Sequence, residues 1–247
     1  MLFSETTKEI IFNQPKDLKE VIDYLKSFTF QKGDTSKVHE NFCLYIFLIG
    51  CSKISRLSLP IKVISNESPD FIFIETNKNK EIGIEHTRAT LKSYKIAVSE
   101  LKKYPKGSKI ELSHYSPFRK LPKKKSYSGI IAPGDKLKGK GWDGDQTERE
   151  WAEIILNSIE RKVHLLNEGH FKRKEENQLL IEDDSHVKFM KREDEAIDML
   201  KRKYGQTVSS EKSTFDKIHI FSNCILIYDI FGECLKVNLQ KKELPNL

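Results

Sequence analysis

The chain has 247 residues, 38% of them hydrophobic and 32% charged, which suits a folded domain with a substantial core and excludes a disordered chain. No apolar run approaches the roughly 20 residues that cross a bilayer. The opening Met1-Leu2-Phe3-Ser4-Glu5 lacks the basic start and apolar centre of a signal peptide, so a cytoplasmic location away from membranes is expected.

Leu18, Val21, Ile22 and Leu25 predict a first amphipathic helix over 17–28. A second starts near Thr35 or Ser36, either of which can cap it, and runs to about Gly50 through the apolar stretch Phe42 to Cys51. Leu57, Leu59, Ile61 and Val63 alternate as a strand does, with Pro60 pointing to an edge or a break. Two Ile- and Phe-rich runs, Asp70 to Glu75 and Ile82 to Thr87, flank a polar turn and predict a β-hairpin. A helix over 90–104 follows, and then residues 105–141, rich in Gly, Pro, Ser and Lys, read as an extended loop. Structure resumes with a helix over 146–167, a short strand at Leu179 to Ile181, a helix over 194–204 with Gly205 as its carboxyl cap, and strands at 218–221 and 224–230. The final residues are charged and read as peripheral. This order implies a single mixed α/β domain, a central mixed sheet flanked by helices, with a basic insertion at about 88–145.

That insertion concentrates the charge. The whole chain carries +7, but residues 88–141 hold 15 basic side chains against Glu100, Glu111 and Asp135, a local charge of +12 that leaves −5 for the rest. Such a segment has the composition of a surface that tracks phosphates. Arg119, Lys120, Lys123, Lys124, Lys125, Lys138 and Lys140 are its candidate nucleic-acid contacts. Tyr115, Phe118, Tyr127 and Trp142 interleave with the basic residues as candidate base-stacking groups. The four cysteines, Cys43, Cys51, Cys224 and Cys234, show no CxxC spacing, so neither a zinc site nor a disulfide framework is expected from them.

The residues that carry chemistry lie on the hairpin. Strand side chains alternate, so Glu85 and Thr87 face one side while Ile82, Ile84 and His86 face the other. A hairpin sets the start of one strand beside the end of the next, which brings Asp70 near Glu85. Two neighbouring carboxylates repel unless a proton or cation joins them. Their hard oxygens suit Mg²⁺, or Mn²⁺, with the His86 carbonyl as a further ligand.

Pro69-Asp70, an intervening hairpin and then Glu85-His86-Thr87 resemble the acid–acid–lysine signature of the PD-(D/E)XK nuclease superfamily. The resemblance extends in element order from about residue 35 to residue 184. It implies a restriction-endonuclease-like fold and Mg²⁺-dependent hydrolysis of phosphodiester bonds leaving a 5′-phosphate, with DNA favoured over RNA as substrate. Restriction, defence and repair all fit such an activity. The chain departs from the signature where the usual lysine stands, at Thr87. Lys162 is the candidate replacement, since it interrupts an apolar stripe of Ile155, Ser158, Ile159, Leu165 and Leu166; the alternative is a stripe-edge lysine reaching water. Glu40, one to two turns before Leu44, Phe47 and Leu48 on its helix, either serves a second metal or is solvated.

Two further readings stand beside the nuclease. The Thr87 departure fits a catalytically inactive nucleic-acid-binding homologue, and the basic loop fits an α/β domain that binds an acidic protein. Cutting both strands of a duplex calls for two active sites, so the chemistry of the reaction leads to the expectation of a homodimer.

Overall fold

The computed structural model describes residues 9–20, 36–112, 115–118, 131–133, 143–187, 192–208, 211, 214–222 and 224–239. In chain order its elements are β1 (Glu9–Phe12), α1 (Ser36–Lys53), β2 (Ile61–Ser65), β3 (Phe71–Glu75), β4 (Lys80–Ala89), α2 (Lys92–Leu101), β5 (Ser108–Ile110), β6 (Ile131–Pro133), α3 (Gln146–Asn167), β7 (Glu176–Asp183), α4 (Glu193–Thr207), β8 (Lys217–Ser222), β9 (Ile225–Tyr228) and β10 (Leu235–Asn238). Of the first predicted helix, residues 15–20 are helical and the remainder lies outside the described residues. The chain divides into two compact units, Met1–Arg88 with Ile159–Asp183 and Ser210–Leu247, and Ala89–Ser158 with Asp184–Ser209. Among the described residues no helix is long and apolar enough to cross a membrane.

The first unit is built on an eight-stranded sheet in the order β1-β2-β3-β4-β7-β8-β9-β10. The run β1 to β4 pairs antiparallel, β7 pairs parallel with β8, and β8, β9 and β10 pair antiparallel. Helix α1 covers one face. Every residue from Phe42 to Ile49 is buried, and an all-round apolar helix is stable only when enclosed in this way. Against it pack Ile61, Val63, Phe71, Phe73, Ile82 and Ile84 from β2, β3 and β4, joined by Leu226, Tyr228 and Val237 from β9 and β10. These are alternate strand positions, so the residues between them, Asp70 and Glu85 included, address the opposite face.

The predicted strand through Leu57 and Leu59 begins only at Ile61, beyond Pro60, whose nitrogen has no proton to donate to a ladder. Strands β1 and β10 have no counterpart among the elements expected from sequence, and the end of the chain read as peripheral contributes a sheet strand. The predicted hairpin is present as β3 and β4, with Phe71 opposite Ile84 and Glu75 opposite Lys80.

The second unit carries α2, α4, the first part of α3 as far as Ser158, and a two-stranded sheet of β5 and β6. The segment read as one long loop therefore contains an antiparallel pair, Ser108 opposite Pro133 and Ile110 opposite Ile131. Its core gathers Ala97, Tyr115 and Ile131, with Leu91, Tyr94, Leu101 and Tyr104 around them. Tyr94 meets Tyr115 edge-on at 5.9 Å and lies 5.1 Å from the His186 ring. Tyr115 is thus a core residue, 1% exposed, and not the base-stacking group expected from sequence. Helix α4 places Glu193, Asp194 and Glu195 in its first turn, where carboxylates favour the positive end of the helix dipole. It runs on through Gly205, the expected cap, to Thr207, because Gly205 does not take the left-handed backbone that a glycine cap requires.

Candidate active site

Extending the β3–β4 register by one residue sets Asp70 directly opposite Glu85, on the face away from α1. Asp70 stands just before β3 and is tied down by the His86 backbone N–H, which donates to its Oδ2 at 2.8 Å. Glu85 is 5% exposed. Lys162 of α3 forms an ion pair with Glu85 Oε1, with side chains 12% and 7% exposed respectively. The lysine is therefore turned inward, and the sequence alternative of a stripe-edge lysine in water does not describe it. Its ammonium also lies 5.3 Å from the centre of the Phe171 ring.

Thr87, at the position of the expected lysine, accepts a hydrogen bond from Arg161 at 2.7 Å. Two consecutive cations of α3 thus reach two alternate positions of β4. Sequence reasoning misses Arg161 because it lies off the apolar stripe, on a mostly exposed side of the helix. Its only sequence signal is adjacency to Lys162.

The electrostatics follow from this crowding. Burial pushes the Asp70 carboxyl up to about 7, and the neighbouring Glu85 charge pushes in the same direction against the His86 N–H. Burial also raises Glu85, opposed chiefly by the Lys162 ammonium. Glu40, half-buried on α1, is close enough for its charge to raise both carboxyls. At neutral pH the pair is therefore short of positive charge, Lys162 notwithstanding.

A divalent cation fits this deficit. Glu85 Oε2 is buried and has no hydrogen-bond partner among the described residues, while its other oxygen is held by Lys162. A buried carboxylate oxygen left in that state is costly unless a cation or proton meets it. The donors are all oxygen, from Asp70 and Glu85, which suits a hard ion of the Mg²⁺ or Mn²⁺ type and not a soft one.

The remaining candidates, and the other ionisable groups of these elements, fall elsewhere. Through its amide His86 meets Asp70, while its ring is 5% exposed on the α1 side of the sheet, 3.8 Å from Glu182. Glu75 and Glu81, flanking the hairpin turn, pair with Lys78 and Lys174 at 2.9 and 2.6 Å. His164 and His170 both lie beside Glu168 at the exposed end of α3. Of the stacking candidates, Phe118 is 56% exposed, with the Lys203 ammonium 5.3 Å from its ring centre. Arg119, Lys120, Lys123, Lys124, Lys125, Lys138 and Lys140, like Tyr127 and Trp142, lie outside the described residues. Comparison with known proteins found no match to this chain among family models, curated proteins or solved structures.

Proposed function

We propose that this protein is a divalent-metal-dependent nuclease that hydrolyses phosphodiester bonds, DNA before RNA, with Asp70 and Glu85 as its metal ligands. The observation that carries the reading is the facing pair of half-buried Asp70 and buried Glu85, short of positive charge and joined at one Glu85 oxygen to Lys162. A bound Mg²⁺ would polarise a phosphate oxygen and lower the pKa of a coordinated water. The chain's own groups take the other roles. Asp70, fixed by the His86 N–H, presents a pre-aimed carboxylate. Lys162 stands where the missing motif lysine would act, positioned to orient a water and to offset charge that develops on the phosphate. Arg161, held at Thr87, adds a second cation on the same face. Glu40 would extend the acidic set toward a second ion.

The test is cleavage of plasmid DNA, single-stranded DNA and RNA with Mg²⁺, Mn²⁺ or EDTA, alongside Glu85→Gln. Metal-dependent cleavage that falls at least about 100-fold in the variant is expected. Full activity in Glu85→Gln, or activity in EDTA, would remove the assignment. Thr87 motivates a second reading, an inactive homologue that binds nucleic acid. It predicts salt-sensitive binding and no cleavage at any metal concentration.

A further inference from the structure

The opposite face of the same strand holds a chemically different cluster. Cys43 of α1, His86 of β4 and Glu182 of β7 each offer one ligand atom, and the three atoms lie within 4.8 Å of one another. They come from three elements of the first unit, and spacing along the chain therefore gives no hint of them. Cys43 is fully buried and His86 is 6% exposed, while Glu182, with a side chain 16% exposed, forms the rim through which an ion would enter. His39 lies one helical turn before Cys43 on the same side of α1, with its Nδ1 4.0 Å from Glu182 Oε1.

We propose that Cys43, His86 and Glu182 form a Zn²⁺ site, separate from the oxygen-only pair across the sheet. The donor set decides the metal: one thiolate, one imidazole nitrogen and one carboxylate oxygen suit Zn²⁺, whereas Mg²⁺ and Ca²⁺ take oxygen alone. The geometry is slightly open. Tetrahedral ligands at Zn–ligand bonds of about 2.0–2.3 Å stand about 3.5 Å apart, so small rotamer adjustments close the cluster. The charges also balance, because a thiolate and a carboxylate together neutralise the dication. Arg88, whose Nε lies 3.2 Å from Glu182 Oε2, becomes the outer partner that orients this carboxylate. Three protein ligands leave the fourth position to water or to His39 at the rim. The bound ion would fasten α1, β4 and β7 to one another.

Cobalt(II) reports on such a site directly, because a thiolate–cobalt bond gives an intense charge-transfer absorption that oxygen-only sites lack. The metal-free full-length protein is titrated with Co²⁺ and then with Zn²⁺. The expected result is saturation of a thiolate band at one equivalent, its displacement by Zn²⁺, and its loss in Cys43→Ser. Glu85→Gln keeps the band, so this outcome is independent of whether the protein proves to be a nuclease. Circular dichroism verifies folding of Cys43→Ser. Should that variant not fold, Glu182→Gln is used, with Co²⁺ affinity expected to drop at least about 10-fold. No thiolate band in the wild-type protein, or a band that survives Cys43→Ser, or unchanged affinity in Glu182→Gln, overturns the site.

Discussion

Asp70 has an ordinary carboxyl range near 3.8 and is held at about 7 in the fold. Between these values the folded state keeps a proton that the unfolded state releases. The stability of the metal-free protein therefore falls as pH rises through this window, by up to about 1.4 kcal/mol per pH unit, and the loss is complete above about 7. Asn at this position imitates the protonated acid and keeps an acceptor for the His86 N–H. Asp70→Asn is accordingly expected to stabilise the protein in EDTA at pH 8, with the gain shrinking toward zero near pH 4, as read from urea midpoints at several pH values. An unchanged midpoint at pH 8 would mean that the site does not strain the carboxylate. Lys162 carries the opposite expectation. Lys162→Ala leaves Glu85 buried without its counter-charge, a change that costs about 3–5 kcal/mol for a buried pair. The loss is expected to be smaller at acid pH than at pH 8, because burial raises the Glu85 carboxyl and a proton there can take the place of the missing ammonium. Equal losses in the two conditions would show that the ion pair is solvated. Asp70 and Glu85 are legible in the sequence because strand alternation and a hairpin are local geometry. Lys162 is legible as a cation within an apolar stripe, although only packing could turn it inward. Arg161 and the Cys43–His86–Glu182 group are not legible, since nothing local links residues on different elements.

Helix α1 owes its position to close approach at Gly50. A Cβ placed there would stand 2.3 Å from Leu226 Cδ2 on β9, and Leu226 is itself fully buried. Gly50→Val forces that leucine or the whole helix to move and is expected to cost about 1–3 kcal/mol. Thermal denaturation measures it, and a valine variant as stable as wild type would mean that the helix is not seated on β9. The same scale explains what the apolar pattern reveals and what it hides. The helix is visible because its run of apolar residues is long. Strand β7 is expected only over Leu179 to Ile181, yet it spans Glu176–Asp183. Its polar opening is buried through partners: Glu176 pairs with Lys80 and Lys217, and Gln178 shares a hydrogen bond with the fully buried His219 at 3.0 Å. Burial holds that imidazole down near 3, so the ring stays neutral, with the Asp229 N–H donating to its Nδ1. Polar residues satisfied in this way do not register as strand when strands are sought as apolar runs. Strands β1 and β10 escape for another reason. Each has four residues, and the partner strand of β1 lies some fifty residues away in sequence, while β10 sits in a charged tail.

At the scale of the whole chain, charge is segregated: +12 lies within residues 88–141 and −5 in the remainder. The acidic remainder includes the carboxylates of the site. A polyanion therefore finds its most strongly attractive segment there, and affinity that depends on that segment must depend on salt, because each phosphate neutralised releases condensed counterions. Lys123, Lys124 and Lys125 are the densest part of it. Replacing all three by alanine should flatten the dependence of log K on log salt for duplex DNA by about 0.9 for each phosphate that the segment no longer neutralises. The expected change is thus a slope smaller by up to about 2.7 if all three engage phosphates. Fluorescence anisotropy across a series of NaCl concentrations gives the slope, and metal-free buffer keeps cleavage out of the measurement. Weakened binding with a flatter slope assigns this segment to nucleic acid, whether or not the carboxylate pair is active. An unchanged slope with binding intact would move the phosphate-binding role to other cations, of which Arg161 and Lys162 are already on the site face. No binding by the wild-type protein would instead favour an acidic protein as the partner of the basic segment, and would leave the carboxylate pair without its proposed substrate.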